Sequence, residues 1–471
     1  FKIVKKMKKS ILLLISGFAF VLMSCTDMSK TAIVNGIIDN QVNEVVSLTN
    51  LSDELSKADT AILNKKGKFQ FKIDIDEEGF YMLRHGRERN IIYLAPGYKL
   101  KFEVEAEKLA GKLDISGNGK DINLYLMEEK LFLAELKPQN PMLYGLDEEM
   151  FIQKANDVLK SWQGYITEQE NLSPEFKKKE LYVALYDWAL TRLYYQQAHR
   201  YFRENDSFIV SSTYYNFLDT LETNNPEFLE LQNYRSFIQM NFSRVAENIL
   251  KENPEISERP AGKIWANYEA ALSLYPHHQI KSYALFRVLK EQLDYYGIDE
   301  IDEIYQNFLI ETTVEKYKKY VKKSYNKWKS IEAGNQADEF SYPDINGKEY
   351  ALNNFKGKYL YIDVWATWCG PCKVEIPYLD TLVNELKGNN IEIISISIDE
   401  NKADWEEMIN ADKPDWLQLY AGSWNTEITN FFLIRSIPRF ILLDREGKII
   451  DANAARPSEN IKEQILALEG I

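Results

Sequence analysis

Trp368-Cys369-Gly370-Pro371-Cys372-Lys373 is the stretch that decides how this chain is read. Two cysteines with two residues between them stand where an apolar run, Tyr359–Trp365, gives way to a helical pattern. Cysteines so placed form a reversible dithiol/disulfide pair, and a lowered thiol pKa makes the first of them nucleophilic. At a helix start the free backbone N–H groups and the helix dipole favour the Cys369 thiolate. Gly370 and Pro371 hold the turn, the proline supplying a fixed φ for the first helical turn. Cys372, one turn inward, is shielded yet close enough to close a disulfide. The expected division of labour is attack on a substrate disulfide by Cys369 and resolution of the mixed disulfide by Cys372. A zinc site would need two further ligands, and no histidine follows His278. A purely structural disulfide spanning two residues would constrain little, because stabilisation grows with loop length. Redox chemistry is the expectation, with no metal and no cofactor.

Working outward, the run before the motif reads as a strand buried on both faces, interrupted by Asp363. A carboxylate in such a strand is costly and should carry a raised pKa. It lies six positions before Cys369 and is placed to take the proton of Cys372. Glu375, three residues after Cys372, is a second candidate for that part, with a solvated surface position as the plain alternative. Pro377 is expected to kink the helix, which runs from the motif to about residue 387. Further on come a strand over 391–398, a helix over 402–409 and an apolar run over 437–443. A turn at Glu446-Gly447, a strand over 448–451 and a terminal helix opened by Ser458 complete an α/β sheet of mixed direction.

Upstream, the composition bounds the remainder. A chain of 471 residues suggests about three domains. With 45% hydrophobic and 27% charged residues it is globular, and a formal charge of −14 argues against a nucleic-acid surface. Lys2, Lys5, Lys6, Lys8 and Lys9 precede an apolar run over 11–23, too short to span a bilayer comfortably; Met7 is read as the start. Leu22-Met23-Ser24-Cys25 resembles a bacterial lipobox, which implies lipidation at Cys25 and removal of residues 1–24 as a lipoprotein signal peptide. The expected mature body, 52 basic against 71 acidic residues, carries −19 and is held by lipid rather than by charge. Export places the dithiol where disulfides persist. The expected location is the cell envelope, facing the periplasm. Thr26, where an aspartate would mark retention at the inner membrane, favours the outer membrane.

Residues 31–119 alternate polar and apolar, as in Lys68-Phe69-Gln70-Phe71-Lys72-Ile73, and are expected to form an antiparallel β domain resembling a sandwich. The stretch 90–97, with Ile115-Ser116-Gly117, resembles an N-terminal β domain found ahead of thioredoxin-like domains in exported lipoproteins. Residues 121–330 form an all-α region, with helix starts at Ser173-Pro174-Glu175 and Asn225-Pro226-Glu227 and breaks at Pro254, Pro260 and Pro276. Its many tyrosines are expected to pack between helices, and His277-His278 to lie in an exposed loop. Gly334-Asn335 opens a linker to the last unit, 334–471.

That unit carries a specific resemblance. Asn346-Gly347-Lys348, Phe355-Lys356-Gly357-Lys358 and the continuous stretch from Asp363 through the motif to Val374-Glu375-Ile376-Pro377 look like a thioredoxin-fold protein of the TlpA/ResA type, within the superfamily related to AhpC/TSA. The resemblance covers under a third of the chain. It implies that Ser436-Ile437-Pro438 is the cis-proline loop opposite the dithiol. There the backbone beside the proline pairs with the substrate chain, and the proline keeps metal away from the thiols. Trp368, Gly370, Pro371, Ile437 and Pro438 are then the substrate-binding residues. Asp363 matches the buried acid of thioredoxins and Glu375 the acid of membrane-tethered reductants. The lysine that partners the buried acid is missing, with Ser395 or Ser397 near its position, so both acids stay in play. Gly-Pro between the cysteines is the dipeptide of thioredoxin, whose potential is about −270 mV.

The resulting expectation is an extracytoplasmic thiol–disulfide oxidoreductase that reduces protein disulfides. Its partners are substrate proteins, an upstream electron-donor protein and a membrane reached through the lipid anchor. Two alternatives stand beside it. A peroxiredoxin-like peroxidase usually has threonine three residues before its cysteine, whereas Thr367 is two before Cys369. A binding or scaffold lipoprotein with an accessory redox domain would explain why so much helix lies upstream.

Overall fold

The computed structural model describes residues 30–111, 113–259 and 261–471. The expected signal peptide over 1–24 and the expected lipidation at Cys25 fall outside them. The architecture follows the expected order of antiparallel β sheets, then helices, then an α/β domain. By its internal contacts the chain divides into two compact units, one holding residues 30–143 and 156–184, the other 144–155 and 185–471. No helix among the described residues is long and apolar enough to cross a membrane.

The first unit opens with eight strands: β1 Thr31–Asp39, β2 Val45–Asn50, β3 Asp59–Ile62, β4 Lys68–Asp74, β5 Gly79–His85, β6 Glu88–Leu94, β7 Lys99–Glu105 and β8 Asp114–Asn118. They form two four-stranded sheets, ordered β4-β1-β7-β8 and β3-β2-β5-β6. All pairings are antiparallel except β1 with β7, which is parallel. Alternation sends Val34, Phe71, Leu100 and Phe102 from one sheet and Leu48, Leu83 and Ile92 from the other into a shared core. Gly36 sits inside β1 because the Phe69 ring lies where a Cβ would stand, 2.3 Å away.

Ten helices follow. They are α1 Lys120–Leu136, α2 Asn140–Tyr144, α3 Glu148–Glu168, α4 Pro174–Arg203 and α5 Gln232–Glu252, then α6 Pro254–Ser257, α7 Gly262–Leu274, α8 His278–Tyr295, α9 Asp302–Glu311 and α10 Glu315–Lys329. Ser173 caps α4 as expected, its hydroxyl accepting from the Phe176 N–H. Asn225-Pro226-Glu227 opens only a short 3-10 turn, Pro226–Glu230, capped by the Asn225 side chain. The histidine pair is not a bare loop. His277 caps α8, its ring accepting from the Gln279 N–H, and His278 is the first helical residue. The tyrosines are packed as expected: Tyr186, Tyr195, Tyr234 and Tyr275 are fully buried.

The α/β domain begins with the hairpin β9 Ser341–Pro343 and β10 Glu349–Ala351. Its main sheet comprises β11 Tyr359–Trp365, β12 Ile391–Ser397, β13 Leu417–Tyr420, β14 Arg439–Leu443 and β15 Ile449–Asp451, in the order β13-β12-β11-β14-β15. β11, β12 and β13 are mutually parallel; β14 runs antiparallel to β11, and β15 antiparallel to β14. Helices α11 Gly370–Glu385 and α12 Lys402–Asp412, the short α13 Glu427–Phe431 and α14 Ile461–Leu466 complete it. Tyr359, Tyr361, Ile393, Phe440 and Leu442 pack with Leu379 and Leu382 of α11 and Ile461 and Ile465 of α14.

Two expectations shift here. The terminal helix starts at Ile461, not Ser458, whose side chain is used elsewhere. The linker at Gly334 is bonded into the fold, its N–H donating to Ile449 O at 2.8 Å while Gln336 bridges to Lys448.

Candidate active site

Cys369 caps α11 and Cys372 is its third helical residue. The Cys369 sulfur accepts the Cys372 backbone N–H at 3.1 Å, the bond a serine or aspartate cap would make. The two cysteines are joined as a disulfide. Both are buried, at 4% and 3% exposure, whereas Trp368 beside them is 56% exposed. The Trp368 ring lies 6.4 Å from that of Trp424.

Strand register fixes what faces the pair. Val364 is paired with Arg439, so Pro438 lies level with Trp365 at the end of β11 from which the motif emerges. The Ile437–Pro438 peptide bond is cis. Ile437 and Pro438 are half-buried, and Ser436 before them is exposed. Trp368, Gly370 and Pro371 on one side and Ile437 and Pro438 on the other therefore belong to one end of the sheet.

Asp363 occupies β11 on the same face as Tyr361, toward α11, since alternate residues of a strand share a face. It is 5% exposed. Burial pushes its carboxyl up to about 7; the hydrogen bond from Ser395 pulls it back, and the charge of Glu375 adds to the rise. Ser395 is its cross-strand partner on β12 and donates to Asp363 Oδ2 at 2.9 Å. The Trp416 indole N–H donates in turn to the Ser395 hydroxyl at 2.8 Å. A neutral hydroxyl backed by an indole thus stands where the resemblance leads one to look for a lysine. The carboxyl borders a small half-open cleft whose lining includes Trp365, Ser395, Asp412 and Gln418.

Glu375 is equally buried, which sets aside the solvated position, but it is held differently. The Ser458 hydroxyl and N–H donate to its two oxygens at 2.9 and 3.1 Å, and Arg456 lies 3.7 Å away. Asp363 keeps one side-chain donor, whereas Glu375 is tied by two bonds and a cation to the segment before α14. Sequence reasoning found both acids and missed Ser458 and Arg456, which stand 83 and 81 positions from Glu375 and carry no local signal.

It also missed Asp399. This carboxylate is 2% exposed and accepts from the Thr367 N–H, from the Thr367 hydroxyl at 2.7 Å and from the Ser397 hydroxyl at 2.7 Å. It anchors the loop that presents Trp368 and Cys369. An aspartate directly after a buried strand, Ser397-Ile398-Asp399, was the available clue.

The arrangement brings a cysteine pair at a helix N-terminus and the cis Ile437–Pro438 loop to one end of a sheet, with a buried acid titrating near neutrality in the adjoining strand. Comparison with known proteins agrees with that chemistry. A family model described as Redoxin matches residues 332–466. Over 141 residues, 30% of this chain and 79% of the relative, the sequence is 30% identical to the thiol-disulfide oxidoreductase ResA of Bacillus cereus. ResA of Bacillus subtilis is 26% identical over 132 residues, 28% of this chain and 73% of the relative. Among solved structures, the thioredoxin domain of a thiol-disulfide oxidoreductase from Bacteroides vulgatus is 32% identical, covering 29% of this chain and 99% of that one with a TM-score of 0.27.

Proposed function

Through its C-terminal domain the chain belongs to the ResA-type thiol-disulfide oxidoreductases, and on that premise we propose a reductive cycle on protein disulfides at Cys369 and Cys372. Thiol–disulfide exchange is the activity; its direction, clients and setting are our reading. The observation that carries it is the capping geometry, in which the Cys369 sulfur receives the Cys372 N–H at the positive end of α11.

In the reduced protein the Cys369 thiolate attacks one sulfur of a substrate disulfide, and the other sulfur leaves as a thiolate. Cys372 then gives its proton to a carboxylate and attacks the Cys369 sulfur. The Cys369–Cys372 disulfide forms, and the second substrate sulfur departs. We assign the proton to Asp363, because a carboxyl poised at about 7 exchanges protons readily near neutral pH. Glu375, bonded to Ser458 and Arg456, is assigned to holding α11 and to tuning Asp363 by its charge. The substrate chain lies across Trp368, Gly370 and Pro371 and pairs its backbone beside Ile437 and Pro438, as an added strand would. Each turnover leaves the pair oxidised, so an upstream donor protein must return two electrons.

We place this cycle in the cell envelope on the periplasmic side, anchored through lipid on Cys25 and at the outer membrane. The support is the basic start, the short apolar run and the lipobox-like Leu22-Met23-Ser24-Cys25. Residues 31–119 and 121–330 are taken as divisions that choose the client of the catalytic division 334–471.

The test is capture. Cys372→Ser should accumulate mixed disulfides through Cys369 that dissolve on adding dithiothreitol, and wild type should reduce insulin. If the variant captures nothing and wild type leaves insulin intact, the proposal fails.

A further inference from the structure

Helix α10 has the sequence Glu-Lys-Tyr-Lys-Lys-Tyr-Val-Lys-Lys-Ser-Tyr-Asn-Lys-Trp-Lys, seven lysines in fifteen residues of a chain whose net charge is −14. Its apolar residues Tyr317, Val321, Tyr325 and Trp328 are buried, so the helix is committed to its own fold along that face. The lysines therefore crowd the opposite face. Lys316, Lys319, Lys322 and Lys323 are exposed. Lys318 and Lys329 are occupied by Glu315 and Glu332 on the flanks, whereas Lys319, Lys322 and Lys323 form no ion pair among the described residues.

The stripe also has a direction. Lys316, Lys319, Lys323 and Lys327 follow the three- and four-residue spacing of one helix face and span about 16 Å. At its end Lys327 sits 5.2 Å over the Phe431 ring, in the segment that leads to Ser436-Ile437-Pro438. Exposed Arg435, one residue before that tripeptide, lies near Tyr320 of α10, which donates to Asp294 at 2.7 Å. The Arg439 guanidinium, just after Pro438, is buried 5.9 Å over the Trp328 ring and ties this loop to the inner face of α10 rather than adding to the exposed charge. Exposed positive charge thus runs along α10 and, through Lys327 and Arg435, reaches the segment just before Ser436-Ile437-Pro438.

We propose that this cationic stripe is the docking surface for the substrate protein, selecting clients whose chain beside the reducible disulfide is acidic. The proposal rests on the reductive reading of the Cys369–Cys372 pair and names the class of client for that same site. A 16 Å stripe matches about five extended residues. Charge complementarity of this kind raises encounter rates and fixes orientation more than it adds resting affinity, which suits a partner that must leave after each turnover. A protein is favoured over a lipid surface because the apolar face of α10 is buried and the stripe ends at a loop built to pair with a peptide.

Three peptides enclosing the same disulfide, flanked by five Glu, five Gln or five Lys, separate the outcomes, with hydroxyethyl disulfide as a small neutral control. Wild type should show a kcat/KM about tenfold higher for the Glu peptide than for the Gln peptide at low salt, converging in 0.5 M NaCl. A triple variant, Lys319→Glu, Lys322→Glu and Lys323→Glu, should invert the order of Glu and Lys peptides while reducing hydroxyethyl disulfide as wild type does. A second variant with Gln at the three positions should abolish the preference without inverting it. Equal rates on the three peptides, or a preference that survives in both variants, overturns the proposal. So does stripe-dependent binding to phosphatidylglycerol vesicles without any peptide preference. Failure to reduce even the neutral control would instead sink the reductive reading.

Discussion

Two buried acid sites, one in each unit, look alike on paper and differ in what surrounds them. In the α/β domain Asp363 receives one hydroxyl and borders a half-open cleft. In the first unit Glu129 of α1 and Glu180 of α4 share a buried, hydrogen-bonded nest. Tyr125 O–H donates to both, at 2.5 Å to Glu129 and 3.2 Å to Glu180, and the Trp162 indole donates to Glu129 at 2.6 Å. Burial pushes Glu180 well above the usual carboxylate range, and the neighbouring Glu129 adds to the rise. Rings of Tyr93, Phe176 and Trp162 close over that nest. A raised pKa therefore does not by itself mark chemistry. What separates the sites is their surroundings: Asp363 borders a cleft, whereas Glu129 and Glu180 meet at one tyrosine hydroxyl that links α1 to α4.

Three experiments would break or sharpen that contrast. The largest effect should come from Asp363→Asn, expected to slow resolution of the mixed disulfide at pH 7 by about 10²-fold, the scale of a lost general base. Glu180→Gln should leave the same single-turnover rate within about twofold. Equal losses would erase the distinction.

Next comes stability against pH. Both acids have folded-state pKa values above their unfolded ones, so the folded state binds more protons in that window and stability falls as pH rises. For Asp363 the window runs from 3.8 to about 7. Asp363→Asn should therefore gain urea resistance over wild type progressively across it and no further above. The ceiling is about 1.4 kcal/mol for each unit of the rise. Glu180→Gln should gain likewise toward alkaline pH. Parallel wild-type and variant curves would show that neither proton is held on folding.

The smallest effect belongs to the hydroxyls. Ser395→Ala removes the bond that lowers the Asp363 pKa, so the acid limb of the pH–rate profile should move up by less than about one unit. Ser458→Ala should lower stability by about 1–2 kcal/mol and leave that limb in place, since it acts on Glu375. A shift of the limb by Ser458→Ala would make Glu375 the proton carrier instead.

How far the sequence could be read follows from the range of each signal. The dithiol, the buried strand with its acid and the helix after the motif are local patterns, and β11 and α11 lie where they were expected. β13 was missed because four residues behind Pro414 at a sheet edge carry too little alternation to stand out. Ser458 looked like a helix cap because it precedes a helical stretch; the structure gives its hydroxyl to Glu375 instead. The pairing of Asp363 with Ser395 depends on register between parallel strands joined by a helix, which no local pattern encodes. The lysines of α10 were plain in the chain, but their meaning depends on what the helix packs against.

In accepting the Cys372 N–H, the Cys369 sulfur does the work of a helix cap. Because its position is that of an ordinary helix cap, the Cys369→Ser protein keeps the first turn of α11 with a better capping oxygen while losing the electron pair that attacks. Such a molecule is a decoy: shaped for the client, unable to commit to it, and suited to holding a substrate in place long enough to be seen.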